Sequence, residues 1–264
     1  MSAVLRVENL SYKDVLDNVC FEIEKNTFNV LVGPNSCGKT LLVKCLGGLL
    51  EYSGSIYLNN WLVTDKNNEA NEFSNRKNIG IVIDLSSCMS GSVLSNLVYP
   101  LLNLGYSEID AKKKIYAISD KLDTGYLLMK NISELKFFEM KLFYFMRGIV
   151  HEPKIIVIDD IFDSLSSYYK EKIFNYLKKM NSRTVLFMTS NEEYVLYGEN
   201  VIIMNNGKII TQSSLQEILN DERKFTKNNL KLPFVVDLSH KLKSYELIDD
   251  ITLEIDEMVN EIWE

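Results

Sequence analysis

The stretch Gly33-Pro34-Asn35-Ser36-Cys37-Gly38-Lys39-Thr40 sets two glycines, a lysine and a hydroxyl at G-x-x-x-x-G-K-T spacing. Residues of those types in that order hold phosphate. The glycines let successive backbone N–H groups converge on an anion at a helix N-terminus. Lys39 meets the outer phosphates and the Thr40 hydroxyl ligates Mg²⁺. Gly33 through Leu41 are therefore the candidate contacts to a nucleoside triphosphate. A second constellation follows in Ile155-Ile156-Val157-Ile158-Asp159-Asp160, an apolar run ending in two carboxylates. Such a run is common by itself; beside a phosphate loop it becomes a Walker B element. Asp159 then reaches the Mg²⁺ shell together with Thr40, and Asp160 orients or deprotonates the attacking water. Lys39 and Asp160 are the catalytic candidates, and ATP with Mg²⁺ the expected ligands. Cys37, inside the loop near a helix start, is either drawn toward thiolate or turned into the protein.

Positioning these groups requires strands that end at them. Thr27–Val32 reads as a buried strand entering the loop, and residues 39–49 as the apolar helix leaving it. Val4–Val7, Cys20–Ile23 and Ser55–Leu58 are short strands separated by turns, and residues 79–83 form another strand by β-branched content. Residues 65–77 are polar and predict a surface segment. From about 92 to 150 the pattern is helical, with Ser107 capping a helix over Glu108–Leu122 that faces inward through Ile109, Ile115, Ile118 and Leu122. A second helix is expected over about 134–150. Strands and helices then alternate: 155–158, helix 167–181, strand 184–188, helix 192–197, strand 200–204, with a hairpin turn at Asn206-Gly207. This predicts an α/β phosphate-loop NTPase fold with a mostly parallel sheet, antiparallel β elements near the N-terminus and an inserted helical subdomain. After about 223 a polar linker leads to two helices, one starting at Pro233 and one capped by Thr252. Ile251, Ile255, Met258, Val259 and Ile262 make an apolar stripe that either covers this chain's own core or meets another subunit.

Composition narrows the function classes. A chain of 264 residues with 46% apolar content can bury one large core plus an appendage. No apolar run approaches the ~18 residues of a membrane span, and no leader pattern is evident, which predicts a cytoplasmic protein. The net charge of −7 argues against a general nucleic-acid binder. Four cysteines (Cys20, Cys37, Cys45, Cys88) without C-x-x-C spacing indicate neither a zinc site nor a disulfide framework.

Over about residues 4–222 the chain resembles an ATP-binding cassette (ABC) ATPase. The resemblance rests on the loop, the Walker B run, the opening Leu5-Arg6-Val7-Glu8-Asn9-Leu10-Ser11-Tyr12 with Leu16-Asp17-Asn18-Val19, and Gly148-Ile149-Val150-His151-Glu152-Pro153-Lys154. Asn103-Leu104-Gly105-Tyr106-Ser107, residues 232–238 and the tail 251–263 are similar to the ATPase subunits of energy-coupling factor (ECF) uptake transporters. The resemblance implies that Tyr12 stacks on adenine. It also implies that residues 1–223 form the ATP-binding domain, with about 84–150 as its helical subdomain and 224–264 as a C-terminal helical extension. A second ABC ATPase subunit and transmembrane subunits are the implied partners, with the protein peripheral on the inner face of the cell membrane.

The chain also departs from that family. The Leu-Ser-Gly-Gly-Gln signature falls on Leu135-Lys136-Phe137-Phe138-Glu139, where two Phe side chains block close approach and Glu139 is expected to repel phosphate. The Q-loop Gln is Asp84, the catalytic Glu is Asp160, the switch His is Ser190 and the D-loop Asp is Ser166. Binding elements survive while turnover elements have drifted. The expected function is the degenerate half of a heterodimeric ATPase in an ECF-like importer; the alternative is a soluble or regulatory ABC protein that binds ATP with little or no hydrolysis.

Overall fold

The structure, a computed structural model, describes residues 3–59, 61–62, 77–84, 90–180, 182–221, 223–253 and 255–263. The polar segment expected over residues 65–77 lies, apart from Lys77, outside the described residues, as does Cys88.

Strands β1 (Ala3–Tyr12), β2 (Leu16–Glu24), β4 (Ser53–Leu58) and β5 (Trp61–Leu62) form an antiparallel sheet in the order β2-β1-β4-β5. Between β2 and β4 run β3 (Phe28–Val32) and helix α1 (Lys39–Leu46). The main sheet comprises β3, β6 (Ile79–Val82), β7 (Ile155–Asp159), β8 (Thr184–Thr189), β9 (Asn200–Asn205) and β10 (Lys208–Ser214), in the order β10-β9-β3-β8-β7-β6. All its pairings are parallel except the β9–β10 hairpin.

Alternation along these strands explains why both faces are covered. Val30, Val32, Ile156, Ile158, Val185, Phe187, Val201 and Ile203 point into one core, and Leu31, Ile155, Val157, Leu186, Met188, Ile202 and Met204 into the other. Period-two strands that are apolar on both faces need a layer on each side. The first face receives the helices between β6 and β7: α2 (Val93–Asn103), α3 (Glu108–Leu122) and α4 (Phe137–Ile149), with α5 (Ser167–Lys178) after β7. The second receives α1 and the antiparallel sheet.

The α3 boundaries and the Ser107 cap agree with the sequence pattern; Ser107 Oγ accepts the Asp110 N–H at 3.1 Å. Its inward face is Ala111, Ile115, Ile118 and Leu122, whereas Ile109 is 68% exposed. Ile109 sits two residues before Ala111, about 200° away around the helix, so it cannot share that face.

Short helices α6 (Leu215–Leu219) and α7 (Arg223–Thr226) lead to α8 (Phe234–Ser244) and α9 (Ile255–Trp263). Phe225, Leu230 and Val236 are buried in the same core as α2 to α5. The expected Thr252 cap lies three residues ahead of α9, and its backbone N–H donates instead to Ser239 Oγ at 3.0 Å.

Helix α4 meets β6 at unusually close range. A Cβ on Gly80 would lie 2.2 Å from the Gly148 carbonyl oxygen, and one on Gly148 would lie 2.5 Å from Val82 Cγ2. Backbone cannot yield as a side-chain tip can, so Gly80→Ala should destabilise the fold by about 2–4 kcal/mol, read as a lowered urea midpoint. A midpoint within error of wild type would mean that this contact does not set the helix position.

Candidate functional site

The chain leaves β3 directly into the phosphate loop. Gly33 N–H donates to the Thr189 carbonyl at the end of β8 (3.2 Å), and Gly207 N–H donates to the Cys37 carbonyl (2.9 Å). The loop is thus fastened on one side by β8 and on the other by the β9–β10 turn. Gly38 takes φ 111° immediately before α1, a backbone state that L side chains rarely adopt. Lys39 starts α1, is 7% exposed, and folds back so that Nζ donates to the carbonyls of Gly33 (2.7 Å) and Pro34 (2.9 Å).

A cavity of about 340 Å³ opens in front of the loop. It is lined by Asn35, Ser36, Gly38, Lys39, Thr40 and Leu41, with Val15 on one wall and Asp159 and Asp160 on another. Both sequence constellations therefore share one cavity. Gly33 and Pro34 contribute through the carbonyls that hold Lys39. The Cys37 thiol is turned inward, 4% exposed, and burial raises its pKa even though neighbouring Lys39 works the other way. Of the two alternatives for Cys37, the structure shows the thiol turned into the protein: being inside the loop does not offset desolvation once the sulfur faces the core.

Tyr12 lies elsewhere. It lines a separate pocket of about 490 Å³ with Leu50, Glu51 and Tyr52, under the Lys13 ammonium at 5.2 Å. A tight turn, Val15 N–H to Tyr12 carbonyl at 3.2 Å, joins it to the wall of the loop cavity.

Asp159 ends β7. Burial raises its pKa, and the Thr40 side-chain hydrogen bond together with the Lys39 and Lys141 charges counters the rise. A desolvated carboxylate bonded to a threonine hydroxyl is a donor set that fits Mg²⁺, which takes one or two carboxylates and completes its shell with phosphates and water. Accordingly, among the described residues no group of three or more His, Cys, Asp or Glu side chains is arranged to hold a metal unaided. Bound there, Mg²⁺ would neutralise charge on the transferring phosphoryl group.

Asp160 is tied down. Its Oδ2 accepts both the Ser190 N–H and the Ser190 hydroxyl at 2.9 Å, and its own N–H donates to the Met188 carbonyl at 3.0 Å. The segment behind it is pinned by Phe162, fully buried, stacked on Phe174 (5.0 Å) and edge-on to Phe187 (4.9 Å).

The signature position starts α4. Phe137 is 68% exposed, and Phe138 is half-buried with its ring 6.4 Å from Tyr169. Glu139 does not face outward as expected. It is 2% exposed, its Oε2 accepts the Lys136 N–H at 2.9 Å, and its Oε1 receives Lys130 Nζ at 2.7 Å. Burial works against its charge, yet these partners hold the carboxyl below the ordinary glutamate range. The α4 N-terminus is thereby capped from within, which removes a backbone donor from any incoming anion.

Sequence reasoning passed over Lys141. It is 9% exposed, and Nζ donates to Asp84 Oδ2 at 2.8 Å. Its signal was a single cation within the apolar run Met140-Lys141-Leu142-Phe143-Tyr144-Phe145.

The family model described as ABC transporter matches residues 16–163. The chain is 30% identical over 213 residues to the molybdate/tungstate import ATP-binding protein WtpC of Methanocaldococcus jannaschii, covering 78% of this chain and 69% of that one. It is 28% identical to the energy-coupling factor transporter ATP-binding protein EcfA2 of Ligilactobacillus salivarius, covering 93% and 91%. Among solved structures it superposes on cbiO1 of Clostridium perfringens, part of the ABC transporter complex cbiONQ, with a TM-score of 0.70. That match has 24% identity over 91% of this chain and 100% of the other, and speaks for the fold.

Proposed function

The chain belongs to the ABC transporter family, and we propose that within it the protein is the ATP-binding subunit of an ECF-like uptake transporter. In this reading it binds Mg-ATP, pairs as the degenerate half of a heterodimer with a second ABC ATPase subunit, and docks on transmembrane subunits at the inner face of the membrane. Among the described residues no helix is long and apolar enough to cross a membrane.

One observation carries the heterodimer reading. Asp160 tied to Ser190 and the α4 start closed by Glu139 occur in the same chain. Two copies facing each other would combine both alterations in each composite site, whereas a partner with an intact signature would leave this chain's own loop usable. Similarity to an import ATPase and to an energy-coupling factor ATPase supports the transport setting. Residues 1–223 serve as the ATP-binding domain, with about 84–150 as its helical subdomain and 224–264 as the extension that meets the partner. Of the apolar stripe on α9, only Met258 is buried; Ile255, Val259 and Ile262 are 50%, 45% and 39% exposed. A stripe so placed covers little of its own core.

The test is a truncation from Thr252 onward, made in the producing cell with its transporter genes intact. Losing Met258 removes about 2 kcal/mol of burial, so melting should fall by only about 4–8 °C. Co-purification of a second cassette should fall at least tenfold while ATP binding persists. Undiminished pairing per folded molecule would remove the interface role. A full-length protein recovered without any cassette or membrane partner would favour the regulatory alternative.

A further inference from the structure

Helix α9 leaves an apolar face uncovered, and every charge around that face has the same sign. With about 100° between successive residues, Ile255, Val259, Ile262 and Trp263 fall within an arc of about 100°. All four are exposed, Trp263 at 84%. Met258, at the inner edge of the arc, is the one residue the helix buries. Asp256 borders the arc beside Trp263, and Glu261 lies beyond Met258 on the other side. Glu261 accepts the Asp249 N–H and Glu257 accepts the Thr252 hydroxyl, which fastens the inner side of α9 to the segment before it. Asp249 and Asp256 stay exposed. Among the described residues the only cation within ion-pair distance of an acid in 245–263 is Lys243, 3.5 Å from Asp250. The sequence shows how far this asymmetry goes. Of the chain's 36 acids, eight lie in residues 245–264, which hold none of its 29 Lys and Arg. The net charge of −7 thus resides in this stretch, and the rest of the chain is close to neutral.

We infer that the outer face of α9 fits a surface that is apolar at its centre and basic at its rim, carried by the second ABC ATPase subunit, and that its acidic rim excludes a second copy of this chain from the same contact. The inference rests on the proposed role of residues 224–264 and adds the chemistry that chooses the partner. Apolar anchors such as an exposed Trp supply affinity at the centre of an interface, while rim charges set which partner is admitted. Two copies of this face would set acid against acid, which opposes association. Anionic lipid headgroups and a phosphate backbone are rejected for the same reason. What remains complementary is a protein surface bearing Lys or Arg around an apolar patch. Partner choice is then settled at α9, apart from the Asp160 and Glu139 alterations that disfavour a homodimer at the nucleotide site.

The experiment expresses two double variants of the full chain in the producing cell, Asp249→Lys with Asp256→Lys and Asp249→Asn with Asp256→Asn. It measures how much of the second cassette, identified by mass spectrometry, co-purifies per folded chain. An exposed ion pair contributes up to about fivefold in affinity, and the lysines turn two such attractions into repulsions. Pairing should therefore fall about tenfold or more with the lysines and about threefold with the asparagines. Melting of both purified variants should stay within about 4 °C of wild type, because neither position is buried. Pairing unchanged by the lysines, or reduced equally by lysine and asparagine, overturns the inference, since the sign of the charge would then not matter. Two further results would also overturn it. One is self-association of the wild type without nucleotide that Trp263→Ser abolishes, which would assign the face to a second copy. The other is binding to phosphatidylserine vesicles that Trp263→Ser abolishes, which would assign it to lipid. Truncation from Thr252 separates the two levels of the argument. If it leaves pairing undiminished, the proposed role of the extension falls and this inference with it; if it weakens pairing while the lysines do not, only this inference falls.

Discussion

Lys39→Ala should lower the affinity for Mg-ATP by roughly a hundredfold or more, the largest binding effect expected from any single side chain here. Lys39 is the cation at the back of the loop cavity, 7% exposed, with Nζ already directed at the Gly33 and Pro34 carbonyls. Turning from those carbonyls to a polyphosphate exchanges neutral acceptors for charged ones. Each charge-assisted hydrogen bond contributes about 1.5–3 kcal/mol, and tenfold in affinity is about 1.4 kcal/mol. Two such bonds to phosphate oxygens account for the predicted loss. Alanine also leaves the two carbonyls without this donor, so the loop itself should loosen. Calorimetry reads the first effect and thermal unfolding without nucleotide reads the second. Affinity within tenfold of wild type, in a protein that melts normally, would show that phosphate is held by backbone alone or that nucleotide binds elsewhere.

The parts of this site that were legible in the sequence are those encoded within one element or one turn. Gly33 to Thr40 and Ile155 to Asp160 are contiguous runs, and the parallel register β3–β8–β7 brings their ends together without further instruction. Strands buried on both faces announce themselves as unbroken apolar runs, which is why β3, β7 and β8 were readable to within a residue or two. What escaped depends on partners that the motif itself does not contain. Glu139 was expected to confront phosphate, but its direction is decided by Lys130 and by the free N–H at the helix start. Asp84 looked like a damaged Q-loop; its partner Lys141 is 57 residues away on another element. Ser190 looked like a missing histidine, and only the fold shows that it donates twice to Asp160. Cys37 was left between two directions because a loop motif fixes backbone direction but not whether a small side chain faces the core, and the fold turns it inward. Helix α9 shows the same limit from the other side. Period alone cannot distinguish a stripe that is buried at home from one that is left exposed, and here only Met258 is covered.

Hydrolysis by the isolated chain should be slow, below about 0.1 s⁻¹ at saturating Mg-ATP against a typical enzyme value near 10 s⁻¹. Three features act together. Asp160 carries its carboxylate one methylene short of where a glutamate would place it, and a ~1 Å misplacement can cost about a hundredfold. The same carboxylate has Oδ2 occupied by two Ser190 donors at 2.9 Å, so binding a water there competes with bonds it already makes. Ser190 itself is a hydroxyl where a titratable ring would take or pass a proton near neutral pH. A homodimer supplies no remedy, because the α4 start facing the opposite site is capped by Glu139 and fronted by exposed Phe137. Asp160→Asn should therefore reduce the residual rate by less than about tenfold, since little general-base catalysis remains to lose. Asp160→Glu should not by itself restore turnover in the isolated chain; a partner carrying an intact signature is also required. Phosphate release from wild type at 1 s⁻¹ or faster would overturn this account. So would an Asp160→Asn loss of a thousandfold or more, which would show Asp160 to be an effective base despite its anchoring to Ser190.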